Sequence, residues 1–252
     1  MLRLLAVDRR IVLILTGVIA CADAPQGKAQ SFDAGVEATT DEVRRGLSWS
    51  EGRVSASADV HAGFAGLDVG LRLALLRGSD RHANADLVAD LTLGKDWNAG
   101  LVTVRTEVVG HIFAGADSAM NYGEVGVGAR YGIGPLQLGA MAWYAPKQDA
   151  IGGDNLHLRA TAEAGLPGLP VAVFAAVGHT TGDSRDSFSA RLRPAGDYTD
   201  WKIGAEFTRY PLTLGVDYVG TDIDTANMIS ISPFADLQHA SDRVVARLRL
   251  SF

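Results

Sequence analysis

The chain holds a single cysteine, Cys21, among 252 residues, and aromatic side chains make up only 7% of it. One cysteine excludes an internal disulfide, so an exported chain of this composition has to stabilise itself in another way. A membrane-spanning helix is excluded too: the most apolar run, Ile11 to Ala20, is ten residues long, about half of what a bilayer requires. Downstream of that run no segment keeps a helical period. No Pro/Ser linker or shift in composition divides the chain, so one domain is expected. The excess of acid over base, a net charge of −6, argues against nucleic acid as a partner.

The N-terminus has the layout of a secretory signal. Arg3, Arg9 and Arg10 precede the apolar run, and small residues follow it. Two cleavage sites compete. Gly27-Lys28-Ala29 before Gln30 would release a signal of residues 1–29 with Cys21 in it, whereas Val18-Ile19-Ala20-Cys21 resembles the lipobox of a lipoprotein. Under the first reading the mature domain is 30–252, and removing four Lys/Arg and two Asp/Glu from 23 and 29 leaves a net charge of −8.

What is present is alternation. Stretches of about ten residues with period two recur twelve times, from Phe32/Ala34/Val36/Ala38 to Val244/Ala246/Leu248/Leu250/Phe252. That is the length a tilted strand needs to cross a bilayer. The fourth apolar set is Ala85/Leu87/Ala89/Leu91/Leu93 and the ninth is Val171/Val173/Ala175/Val177. Brief connections (Gly63 to Gly66, Gly94 to Gly100, Gly132 to Pro135, Gly165 to Pro170, Arg209 to Pro211) alternate with longer ones. The expected fold is all-β: one closed antiparallel transmembrane barrel of about twelve strands, with short periplasmic turns and longer extracellular loops. An even strand count returns Phe252 to the side where the chain began, and an apolar strand ending on an aromatic resembles the signal read by the barrel insertion machinery.

A soluble lipocalin-like barrel also alternates, but it uses about eight strands and keeps its apolar face inside. Here the polar face carries both signs of charge in near balance, which suits a wet lumen. Its pore-lining candidates are Asp59, Arg72, Asp86, Asp90, Arg105, Glu107, Glu124, Arg130, Arg159, Glu163, Lys202, Glu206, Asp217, Arg243, Arg247 and Arg249. Acids cluster on the second to fourth strands and arginines on the last, so a field across the lumen is expected, partly neutralised by Asp33, Glu37 and Asp59. The function expected is a passive outer-membrane channel for small hydrophilic solutes or ions, sitting in lipid and lipopolysaccharide. The alternative is a plugged barrel with structural or surface-binding duties.

Three segments carry a resemblance to a family. They are Thr40-Asp41 through Arg45-Gly46-Leu47-Ser48-Trp49-Ser50-Glu51-Gly52, then Asp197-Tyr198-Thr199-Asp200-Trp201-Lys202-Ile203-Gly204, and the closing Ser241-Asp242-Arg243 through Ser251-Phe252. Together they resemble the TorF-type porins, also called Gcw_chp. The resemblance implies an outer-membrane porin and supplies no catalytic residues. The chain departs from the family pattern at Glu42, where an aromatic is usual, and at Arg53, where a proline is usual.

Patterns that could carry other chemistry are weak. Gly123, Gly126 and Gly128 lack the helix that a phosphate loop requires, and read as lumen glycines making room for bulky neighbours. Asp222, Asp224 and Asn227 have oxygen-ligand spacing without the glycine and distal glutamate of a cation loop, so a solvated loop is expected. His61, His82, His111, His157, His179 and His239 show no metal-ligand spacing, and neither metal nor cofactor is expected. An outer-membrane phospholipase needs an outward Ser/His pair. His61 and His157 have lumen parity and the outward sets contain neither residue, so no enzyme is expected.

Overall fold

The computed structural model describes residues 31–64, 66–225 and 232–252. The expected signal at 1–29 lies outside them. The first strands are β1 (Ser31–Thr39), the two-residue β2 (Val43–Arg44) and β3 (Leu47–Ser48), β4 (Ser55–Phe64), β5 (Leu67–Ser79), β6 (Ala85–Ala99) and β7 (Val102–Ala114). The chain continues with β8 (Tyr122–Ile133), β9 (Leu136–Gln148), β10 (Gly153–Gly165), β11 (Val171–Thr181), β12 (Tyr198–Arg209), β13 (Leu212–Thr221) and β14 (Arg243–Ser251).

Twelve strands, β1 and β4 to β14, form a closed antiparallel barrel. Closure is made by β14 on β1, with Val36 opposite Leu250 and Ala38 opposite Leu248, and Phe252 N donates to Ala34 O at 2.8 Å. This is the pairing expected of the first and last strands.

Alternation sorts the two faces. Leu91, Leu93, Val108, Val127, Ile203, Val216 and Leu248 stand exposed on the outside, while Asp59, Asp90, Glu124 and Asp217 on intervening positions are buried inside. Such an exterior is far more apolar than a water-facing surface, and such an interior more charged than a core. The brief connections gather at one rim, here the turn end, and Gly66, Gly100, Gly134 and Gly168 there take positive φ. Tight hairpin turns require that conformation, and glycine adopts it without a Cβ clash.

Two expectations need correction. The turn placed at Gly94 to Gly100 is shorter, because β6 stays paired with β7 through Ala99 opposite Val102. Gly94 lies mid-strand, where an added Cβ would sit 2.6 Å from the Arg105 guanidinium, so it makes room for a side chain and does not break the strand. Ala85, assigned to the outward face, is fully buried in an apolar cluster, beyond a register shift between Leu75 and Ser79 that alters the alternation.

At the opposite rim, the loop end, the connections pack into a dry cap. Trp49, Leu76, Val88, Phe113, Met120, Tyr122, Ile151 and Leu192 form one cluster, and Leu47, Tyr198, Ile223, Leu237 and Ala240 a second. Two fully buried arginines knit it together. Arg81 donates to the carbonyls of Ser48, Arg191 and Asp236 at 3.2, 2.9 and 2.6 Å. Arg191 donates to Met120 O at 3.0 Å and to Ala150 O, and meets His82 Nδ1 at 3.2 Å. These bonds satisfy loop carbonyls that burial would otherwise leave unpaired.

Candidate functional site

The connection from β1 to β4 turns into the barrel. Its strands β2 and β3 form a hairpin, Val43 opposite Ser48 and Arg44 opposite Leu47. The two-residue turn, Arg45-Gly46, has positive φ at both positions, 51° and 75°, as a type I′ turn requires. An added Cβ on Gly46 would lie 2.5 Å from Thr221 Cγ2 and 2.8 Å from Asp200 Cβ, so only glycine lets the tip press on the wall.

Each charge of the hairpin meets an opposite charge on a different part of the wall. Arg72 Nη1 and Nη2 donate to the two Glu42 oxygens at 2.8 and 2.9 Å. Arg44 pairs with Asp90 at 2.8 Å and with Glu42 at 2.9 Å, and its guanidinium lies 4.3 Å over the Trp49 ring. Arg45 Nη2 donates to both Glu124 oxygens at 2.7 and 2.8 Å. His111 stands between the two wall acids, Nδ1 at 2.7 Å from Asp90 and Nε2 at 3.4 Å from Glu124. Burial alone would raise the Glu42 carboxyl, but Arg72 and Arg44 outweigh it and hold it below the ordinary glutamate range. Beneath the hairpin lies a cavity of about 510 Å³. Of the expected pore-lining residues, Arg72, Asp90, Glu124, Arg159, Lys202, Asp217 and Arg247 border it.

A family model described as a bacterial protein of unknown function, Gcw_chp, matches residues 23–252. The chain belongs to the Gcw_chp family. The three segments that carry the resemblance meet at the hairpin of this Gcw_chp protein. Asp41 Oδ1 accepts from Ser48 Oγ at 2.6 Å and Ser50 Oγ at 2.9 Å, which closes the base of the hairpin and accounts for an aspartate paired with Ser-x-Ser. From the second segment, buried Tyr198 donates its hydroxyl to Arg45 O at 2.9 Å. From the third, Arg243 donates to Asp41 Oδ2 at 2.9 Å and Gly46 O at 3.1 Å.

The other expected residues are dispersed. Arg249 pairs with Asp59 at 2.5 Å and reaches Asp33 at 4.0 Å; Arg247 pairs with Asp217 at 2.8 Å, Glu206 at 3.6 Å and Glu37 at 3.7 Å; Lys202 shares Asp217 at 2.8 Å. Towards the turn end, Arg105 joins Glu107, Asp68 and Asp96, and Arg130 joins Asp96. Glu163 is exposed, and Asp86 is exposed at the loop-end rim beside Gly115. The expected field across the lumen is therefore replaced by local pairs: the last strand's arginines find acids on β1, β4, β12 and β13, and the wall residues Arg72 and Asp90 find charges of the hairpin.

The outward face also needs one correction. Alternation continues past Val177, so His179 points outward and its Nδ1 lies 3.2 Å from Thr199 Oγ1. Gly126 and Gly128 do sit beneath bulky neighbours, Met141 at both and Trp143 and Glu107 at the first. Asp222 accepts from Thr199 N at 2.7 Å, and Asn227 lies outside the described residues. Sequence reasoning missed Asp41, Glu42, Arg44 and Arg45 as interior groups. The signal available was four charges crowded into one loop beside Ser-x-Ser.

No curated protein matches the chain. Among solved structures, the KdgM porin superposes with a TM-score of 0.56 at 8% identity, over 88% of this chain and 98% of that one. OmpT of Vibrio cholerae, an outer membrane protein, gives 0.44 at 9% identity, over 88% and 97%. LpxR from Salmonella typhimurium gives 0.46 at 10%, over 87% and 99%. With KdgM the chain shares the closed barrel.

Proposed function

We propose that this Gcw_chp chain is an outer-membrane channel of the TorF-porin kind, through which small hydrophilic solutes or ions diffuse passively and in which the inturned hairpin is the constriction. Lipid and lipopolysaccharide surround its apolar exterior. It is exported by the segment at 1–29 and inserted by machinery that reads the strand ending in Phe252. The observation that carries the reading is the manner of the hairpin's attachment. Ion pairs to separate strands hold it across the lumen over a charge-lined cavity, and charged walls beside a narrow passage are how channels select what passes.

The test is planar-bilayer recording on the refolded chain. Discrete conductance steps, made larger by Glu42→Gln, support a channel constricted here. Silence from both proteins refutes it. That outcome would favour a plugged barrel with surface duties, a reading to which the dry cap around Arg81 and Arg191 gives independent support. Vesicles carrying the protein are expected to release no fatty acid.

A further inference from the structure

On the interior wall towards the turn end, β7 to β10 enclose a notch of about 160 Å³ lined by Arg105, Arg130, Arg159 and Thr161, with Gly128 and Gly139 among its floor residues and no carboxylate in its lining. Strand register builds it. Arg105, Gly128, Met141 and Arg159 form one cross-strand row, and Arg130, Gly139 and Thr161 lie in the next. Adjacent strands are about 4.8 Å apart, so the backbones of Arg105 and Arg159 stand roughly 14 Å apart and their long side chains border the same space. The glycines keep it open: a Cβ on Gly139 would come within 2.6 Å of Thr161 Oγ1.

The three arginines differ in how far they are neutralised. Arg105 is held by Glu107, Asp68 and Asp96, and Arg130 by Asp96 alone with half its side chain exposed. Arg159 makes no hydrogen bond or ion pair among the described residues; Asp200 attracts it and Arg45 repels it, both from beyond contact distance. Glu163, further along β10, is exposed and does not line the notch. A half-buried guanidinium with its fork of donors uncommitted matches the planar oxygens of a carboxylate or phosphate.

We propose that this notch binds the carboxylate or phosphate group of a small solute, with Arg159 gripping the oxyanion and Arg130 and Thr161 completing its coordination. The proposal rests on the channel reading only for the route by which the solute arrives. It is tested on the full mature chain refolded in uncharged detergent at low chloride, titrated calorimetrically with succinate and separately with inorganic phosphate. Saturable binding of either anion is expected, and the anion that binds names the group. Arg159→Gln should weaken it about tenfold, the scale of one charge-assisted hydrogen bond. The variant breaks no hydrogen bond or ion pair among the described residues but takes from buried Asp200 a cation that attracts it; should it fail to fold, Arg130→Gln is expected to weaken binding in the same direction. Wild-type protein that does not saturate, or binding unchanged in the folded variant, overturns the site. Binding that persists in a barrel without conductance upholds the notch while the channel reading fails.

Discussion

The loop-end arginines and the pair Arg130 and Arg159 of the interior wall are used in different ways. At the loop end Arg44, Arg45, Arg81, Arg191 and Arg243 are all committed to carboxylates or carbonyls of other segments. On the wall towards the turn end Arg105 is likewise held by three carboxylates, but Arg130 is half exposed and Arg159 has no hydrogen bond or ion pair among the described residues. The same residue type therefore serves as a rivet where loops must be held in a dry cap, and at Arg130 and Arg159 remains largely available on the lumen wall. The difference follows from what each half has to satisfy. Loops carry backbone carbonyls without ladder partners, and long cationic side chains supply the missing donors. The strands of the other half already satisfy one another's backbone, so arginines there pair with side chains, as Arg105 and Arg249 do, or are left largely available, as Arg130 and Arg159 are.

The severest way to break the contrast is to cut a rivet. Asp41→Ala removes the acceptor shared by Ser48, Ser50 and Arg243. Losing one partner of a buried charged pair typically costs about 3–5 kcal/mol. Lower urea stability of the refolded barrel is expected, together with trypsin cleavage at Arg44 or Arg45, which the wild-type hairpin keeps out of reach. An uncleaved, equally stable variant would mean that the pairs Glu42–Arg72, Arg44–Asp90 and Arg45–Glu124 hold the hairpin without Asp41. A test of the faces comes next. Leu73 lies outward between Ala58 and Ala89, so Leu73→Arg is expected to cost about 2–4 kcal/mol in a bilayer if it lies near the midplane. A neutral result in lipid vesicles would place this stretch of β5 near the interface or reverse its faces.

Acid should distinguish the halves more gently. Burial, reinforced by Arg191 and Arg81, drives His82 well below its usual 6.5. The unfolded chain then binds a proton that the folded cap refuses, so stability falls as pH drops below 6.5. Glu42 is depressed below its usual 4.5, so its contribution is complete above that value and is lost as pH falls through its lower folded value. Two successive losses are expected, read by Trp49 fluorescence against His82 and Arg44. His82→Gln should abolish the first and retain the second. A cap equally stable at pH 7 and pH 5 would refute the assignment to His82.

The barrel was legible because alternation over ten residues leaves few other folds. Most barrel strands needed only their own residues to declare a wet and a dry face, the start of β6 at Ala85 and the end of β11 at His179 being exceptions. The hairpin was not legible. Asp41 to Arg45 reads as a polar surface loop, and whether such a loop points out or in depends on acids 46 and 79 positions away, Asp90 for Arg44 and Glu124 for Arg45. Loop direction is a long-range property, whereas strand parity is a local one. The same distinction explains the misplaced turn: Gly94 resembles a breaker locally, and only Arg105 on the next strand reveals why a glycine stands there.

The smallest effect sharpens the comparison most. Arg159→Gln breaks no hydrogen bond or ion pair among the described residues and removes only the more distant attraction between Arg159 and buried Asp200, so it should cost no more than about 1 kcal/mol. Arg243→Gln is the matched control. It leaves Asp41 buried with its two serines but without its cation and frees the carbonyl of Gly46, so a loss several times larger is expected by the same urea titration. Equal losses would mean that Arg159 has a structural partner after all, and the division between riveting and free arginines would then fail at the residue on which it depends.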